Sequence, residues 1–303
     1  MSFPGHSSRN RAAGTSESHL EPPGFVSAGT IGGVEHRGAA QTSSPSLPRT
    51  VRMELSVHGP GPAAPFLRAR DRFETEFDLD LPVEVRVRED PDERTWAGHY
   101  DDRHVLNISR QAATSAMAVE LALHEFAHMR RYEDDHPSHV QSTEEALFLG
   151  LAGTEVERRR IVGCYQIANH MKDVYADDIT LSVGPTRRLV SFLESELARA
   201  LADRPTDRPG DARRESATTD PEMTAINAAF AVGLLERHDL LDPAHPIYDL
   251  ADVATRDAPH VDFDRFRRRF RELARDPGES DYRKALVDVT RAYATGRDAR
   301  AAD

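Results

Sequence analysis

An α+β fold follows from three observations. Segments that alternate between apolar and polar residues are confined to residues 53–108, helical spacings fill the chain after Ser109, and no unit repeats. The expected architecture is a small N-terminal antiparallel or mixed sheet followed by a mainly helical body. With 303 residues and 39% apolar content, the chain can bury one large core or two small ones.

Residues 1–52 are rich in Gly, Ser, Pro, Thr and Arg and hold no periodic apolar run, so burial there cannot offset ordering entropy and a disordered tail is expected. Met53 to Val57 alternates like a strand. Ala63 to Phe77 carries Phe66, Leu67, Phe73 and Phe77 at helical spacings behind a Pro-Gly-Pro turn. Pro82 to Val87 alternates strictly, as a strand with one wet face does, and His104 to Ile108 forms a further short strand. Helices are expected at about 114–132, 143–162, 164–181, 186–203, 220–236, 262–274 and 280–296. Ser142, with Glu145 three residues on, has the form of a capping box. The Arg-Asp-Pro-rich stretch at 204–219 reads as a linker between a body at 53–203 and a helical C-terminal part at 220–303. In that part Phe263, Phe266, Phe270 and Leu273 are spaced to face a core.

A net charge of −12 disfavours nucleic acid and anionic lipid as partners, since both demand a basic patch. No stretch approaches the roughly 18 apolar residues of a membrane span, and the N-terminus lacks the apolar core of a secretory signal. No membrane partner and a cytoplasmic location are therefore expected. The single cysteine, Cys164, has no intramolecular disulfide partner and reads as a small buried helix residue. Only Lys172 and Lys284 are lysines among 39 basic residues, and aspartate occurs in pairs such as Asp134-Asp135 and Asp177-Asp178. This bias resembles the composition of haloarchaeal proteins.

The chemistry sits in Leu121-Ala-Leu-His124-Glu125-Phe-Ala-His128, inside an apolar helical run that includes Met117, Val119 and Leu123. Positions i and i+4 share a helix face, so His124 and His128 present two imidazoles at a separation suited to one tetrahedral zinc. Glu125 falls beside such a metal without ligating it, where it can act as general base. Two histidines leave the metal short of a protein ligand. The carboxylates available are Asp173, Asp177, Asp134, and Glu144, Glu145, Glu155 or Glu157 on the helix expected at 143–162; His136 and His139 are also near in sequence.

The HExxH motif resembles that of zincin metallopeptidases. The segment Asp173-Val-Tyr-Ala-Asp177 is similar to the second motif of gluzincins, weakly to that of the HtpX-type family. There a ligand glutamate precedes an Ala-Asp pair by three residues. The resemblance implies that Asp173 is the third ligand and that Asp177 orients a metal-bound histidine from the second shell. Aspartate is one methylene shorter than glutamate, so its helix must lie closer to the metal. Asp134 stands at the metzincin spacing, but Arg131 occupies the position where that pattern requires glycine. What the resemblance implies is a zinc-dependent metallopeptidase acting on peptides or unfolded protein, its substrate lying along an edge strand before the active-site helix, here His104 to Ile108. An oxyanion-stabilising group is also implied, with Tyr165, Tyr175 and His170 as candidates. The competing reading is a regulatory or sensing protein that keeps the fold and the metal with little peptidase activity; a closed four-ligand site would favour it.

Overall fold

The computed structural model describes residues 52–90, 95–202 and 220–296. The tail expected before Met53, apart from Arg52, and the linker expected at 204–219 lie outside these residues. Four strands build one mixed sheet: β1 (Leu55–His58), β2 (Val83–Arg88), β3 (Trp96–His99) and β4 (His104–Ser109), in the spatial order β1-β2-β4-β3. β1, β2 and β4 are parallel, with Val83 opposite both Leu55 and His104, and β3 runs antiparallel to β4 with Trp96 opposite Asn107. Alternation is kept in β2, where Val83, Val85 and Val87 are buried between more exposed neighbours. β3 was not anticipated: Trp-Ala-Gly-His has no alternation to read, and its backbone is recruited by pairing with β4.

The parallel pairing of β1 with β2 requires a crossover, supplied by α1 (Ala64–Phe73), which buries Phe66, Ala69 and Phe73 and stops short of Phe77. After β4, the Ser109 hydroxyl caps a short α2 (Arg110–Ala113) by accepting the Ala112 N–H at 3.1 Å. The helix expected at 114–132 is α3 (Ala118–Glu133). It lies on the sheet: Ala122, Leu123, Phe126 and Ala127 join Val83, Val85, Leu106 and Ile108 in one core. Its C-terminal end is tied down by polar contacts. The Glu133 carboxylate accepts the N–H groups of Asp80 and Leu81, each at 2.9 Å, and pairs with buried His104 at 3.1 Å.

The remaining helices are α4 (Pro137–Val140), α5 (Thr143–Leu151), α6 (Arg158–Val183), α7 (Thr186–Ala202), α8 (Pro221–Arg237), α9 (Ile247–Asp257), α10 (Phe263–Arg271) and α11 (Glu279–Thr295). The Ser142 hydroxyl accepts the Glu145 N–H at 3.2 Å at the start of α5, as the capping pattern predicts. The sequence placed a helix break near Gly163, whereas the break falls at 152–157, where Gly153 has a φ of +75°. Gly163 lies inside α6 because a side chain there would meet the Tyr293 ring of α11 at 2.5 Å. Close packing of helices, not a turn, explains it. α9 was also missed. A second core joins α5 and α6 to α8, α10 and α11, with Phe266 and Phe270 buried in it, so the helices after Asp220 share a core with the body. Cys164 is buried in the same core, its thiol 3.6 Å from the Thr290 carbonyl.

The 26-residue α6 belongs to both cores and is the axis of the molecule. A buried ion pair clamps it to α8: Arg237 donates from Nε and Nη2 to the two Asp178 oxygens at 2.8 Å each, and His238 approaches the same carboxylate at 2.9 Å. Burial opposes the Asp178 charge, but Arg237 and His238 outweigh it and hold the carboxyl below the usual range. The resulting stabilisation is present above the ordinary aspartate pKa and is lost as pH falls through the lower folded value. Arg237→Ala removes the bidentate partner of a buried carboxylate and leaves it only His238 and the more exposed Arg275, and urea denaturation at pH 7 should show a loss of at most about 3–5 kcal/mol. At a pH low enough to protonate Asp178, that difference should shrink.

Candidate metal centre

One helical turn separates His124 from His128 on the half-buried face of α3, and their rings cross with centroids 4.6 Å apart. Opposite them α6 presents Asp173. The distances among the facing atoms are 3.0 Å between the two Nε2 atoms, 3.4 Å from His128 Nε2 to Asp173 Oδ1, and 3.8 Å from His124 Nε2 to the same oxygen. Ligands at tetrahedral zinc stand about 3.4 Å from one another, given metal–ligand bonds of about 2.0–2.2 Å. The trio brackets that value. Among the described residues this is the one group of three or more His, Cys, Asp or Glu side chains that could hold a metal ion. The short aspartate reaches because α3 and α6 approach closely, with small, fully buried Ala127 and Ala176 in the core they share.

The donor chemistry also fits a cation. Nδ1 of His124 lies 2.8 Å from Asp177 Oδ1, and Nδ1 of His128 lies 2.7 Å from His139 Nε2. With each Nδ1 proton committed there, both Nε2 atoms turn lone pairs toward each other and toward a carboxylate oxygen, an arrangement that a cation relieves. Without a metal, a proton does so. Burial opposes the His124 imidazolium, but Asp177, with Asp173 and Glu125, prevails and lifts its pKa to about 10. Burial likewise opposes the Asp173 charge, and the neighbouring imidazoles of His128, His170 and His124 hold that carboxyl well below its usual range. Metal binding at this trio must therefore displace a proton.

Glu125 lies on the same helix, 2% exposed, and its Oε1 has no hydrogen-bond partner among the described residues. Burial raises its pKa, against the pull of His128 and His124. A buried, unsatisfied carboxylate oxygen is costly, so its persistence beside two histidines points to a chemical role.

Beside the trio opens a cavity of about 600 Å³ between α3, α6, α7 and α8. His124, Asp173, Asp177 and His170 stand in its wall together with polar residues such as Glu120, Glu196 and Arg199, and its apolar lining includes Leu121, Leu181, Phe192, Leu193, Leu197 and Phe230. Thr95, next to the edge strand β3, lies at its margin.

Residues 53–295 match a family of unknown function, DUF5781. The chain belongs to that family. No curated protein and no solved structure matches it. The DUF5781 match runs from Met53 to the end of α11 and so includes both helices that carry the trio and all those packed around them.

The structure separates the carboxylates that the sequence left open in this DUF5781 chain. Asp173 joins the two histidines, and Asp177, one turn on, faces Nδ1 of His124. Glu155 and Glu157 lie exposed in the loop before α6, and Glu144 and Glu145 are exposed at the start of α5. Asp134 pairs with Arg130 at 2.6 Å on the surface at the end of α3. Of the oxyanion candidates, His170 lines the cavity with Nδ1 3.6 Å from Asp173 Oδ2, stacks on Phe230 and pairs with Asn227 at 2.8 Å. Tyr175 is buried against His136 and Tyr282, and Tyr165 packs on the second core. The strand expected to bind substrate, His104 to Ile108, is internal to the sheet, its ladder filled by β2 and β3. The edge on that side is β3. His139, near the motif in sequence, is brought beside His128 by the way α3 ends, which the residue spacing does not encode.

Proposed function

We propose that this chain is a zinc-dependent peptidase in which His124, His128 and Asp173 hold the metal and Glu125 is the general base. The observation that carries the reading is the convergence of three ligand atoms, two of them from the helix that also carries a buried carboxylate oxygen without a hydrogen-bond partner among the described residues. Three protein ligands, the number found among the described residues, favour hydrolysis over a closed structural or sensing site. A zinc ion there supplies Lewis acidity, making water acidic enough to lose a proton near neutral pH and polarising a carbonyl. Glu125 takes that proton at Oε1 and delivers it to the departing amine nitrogen. Asp177 keeps the His124 ring aligned through Nδ1. Of the oxyanion candidates, His170 is the one that lies in the cavity wall beside the trio.

An extended peptide can add to the β3 edge, with an apolar side chain entering the cavity lined by Leu121, Phe192 and Leu197. The substrate class is thus a peptide or unfolded segment with apolar residues beside the scissile bond. Among the described residues no helix is long and apolar enough to cross a membrane. The test is hydrolysis of an unfolded protein such as reduced, carboxymethylated lactalbumin by protein loaded with one equivalent of zinc. Cleavage should stop with a chelator and return with added zinc. Cleavage that survives the chelator, or none by the zinc-loaded protein, rejects the reading.

A further inference from the structure

His128 is held differently from His124, and the difference lies in the segment His136-Pro-Ser-His139. α3 ends in a Schellman turn: the His136 N–H bonds to the Arg131 carbonyl at 2.9 Å and the Asp135 N–H to the Tyr132 carbonyl at 3.1 Å. Asp135 takes the left-handed conformation, φ +50°, that such a turn demands. The reversal folds the chain back along α3, and α4 then sets His139 against His128.

Protons can be followed outward from the ligand. To offer Nε2 to a metal, His128 must carry its proton on Nδ1, and that N–H points at His139 Nε2, 2.7 Å away. His139 therefore accepts on Nε2, carries its own proton on Nδ1, and donates to Ser138 Oγ at 2.8 Å. The Ser138 hydroxyl donates in turn to His136 Nδ1 at 2.7 Å, a nitrogen that also accepts the Ser138 backbone N–H at 3.2 Å. His136 and Ser138 are buried, and the His136 ring rests on Tyr175 with centroids 4.6 Å apart. Each link fixes the next, and none of the three residues in the relay is an anion.

We infer that His139 is the positioning residue for His128: as a neutral acceptor, oriented through Ser138 by His136, it sets the ring plane and the ligating tautomer of that histidine. The inference rests on the proposed ligand role of His128. It makes the centre asymmetric, since Asp177 holds His124 with a full negative charge and the relay holds His128 with none. A carboxylate on both would make both rings stronger donors and leave less positive charge on the metal. One anionic partner keeps the ligand set at a single charged ligand, Asp173, with a single charged support.

The test compares wild type with His139→Ala and His139→Gln. Glutamine can present an amide oxygen to the same Nδ1–H; alanine cannot. Zinc affinity, measured by competition with a chromophoric chelator, should fall about 10–100-fold in His139→Ala. In His139→Gln most of it should be kept. A second readout needs no metal: long-range ¹H–¹⁵N spectra of the metal-free protein should show His128 as the Nδ1–H tautomer in wild type and His139→Gln, but not in His139→Ala. Equal affinities in wild type and His139→Ala, or a His128 protonated only on Nε2 in wild type, would overturn the inference. Should wild type bind no zinc, the metal reading fails and the ligand-positioning role fails with it, while the tautomer spectra still decide whether His139 sets His128.

Discussion

Replacing Asp173 with alanine should leave the purified protein without zinc, where wild type should hold one per chain. Asp173 is the anionic member of the trio, and its carboxyl is held ionised by His128 and His170 despite burial. Removing it leaves two neutral imidazoles whose Nε2 atoms stand 3.0 Å apart with no negative charge between them and the metal. The affinity loss should exceed the about 10–100-fold expected when only a supporting residue such as Asp177 is removed. Elemental analysis after dialysis against a weak chelator checks this directly, and the exposed Glu155→Ala and Glu157→Ala variants should retain zinc. If either of those loses the metal while Asp173→Ala keeps it, the third ligand lies elsewhere.

Glu125→Gln should keep that zinc and lose hydrolysis by about 10²–10⁴-fold, the usual worth of a positioned general base. Glutamine fills the same buried space but cannot take up a proton, so the variant separates proton transfer from metal binding. Asp173→Ala and Glu125→Gln are then both inactive for different reasons, one empty and one loaded. The measurement is the rate of peptide cleavage at matched zinc occupancy, with near-ultraviolet circular dichroism to confirm unchanged packing. Full activity in Glu125→Gln would remove Glu125 from the reaction.

Much of this centre could be read from local pattern. An i, i+4 pair of histidines defines its own geometry once the segment is helical, and the apolar run from Met117 to Leu123 makes it so. The strict alternation of Val83, Val85 and Val87 placed β2 for the same reason, because side-chain direction along a strand depends on position alone. β3 escaped notice because four residues around Gly98 take their conformation from the β4 ladder. The helix break at 152–157 was misplaced because Gly163 answers to Tyr293, a contact across 130 residues of chain.

By itself, then, the sequence determined an α+β architecture, a helix offering His124 and His128 to one side, and a second motif that names Asp173 and Asp177. The first two are consequences of short-range periodicity and spacing, and the third rests on the resemblance to the gluzincin motif. Tertiary structure decided which carboxylate meets the histidines: the way α6 is rotated and pressed against α3 turns Asp173 to the pair and Asp177 to His124 Nδ1, while Glu155 and Glu157 fall exposed in the loop before α6. It also exchanged the internal strand β4 for the edge strand β3, and it brought His139 to His128 through a left-handed Asp135. Each of these depends on the packing of segments distant in sequence, whose free energy is set by burial across the whole core and leaves no local periodic trace.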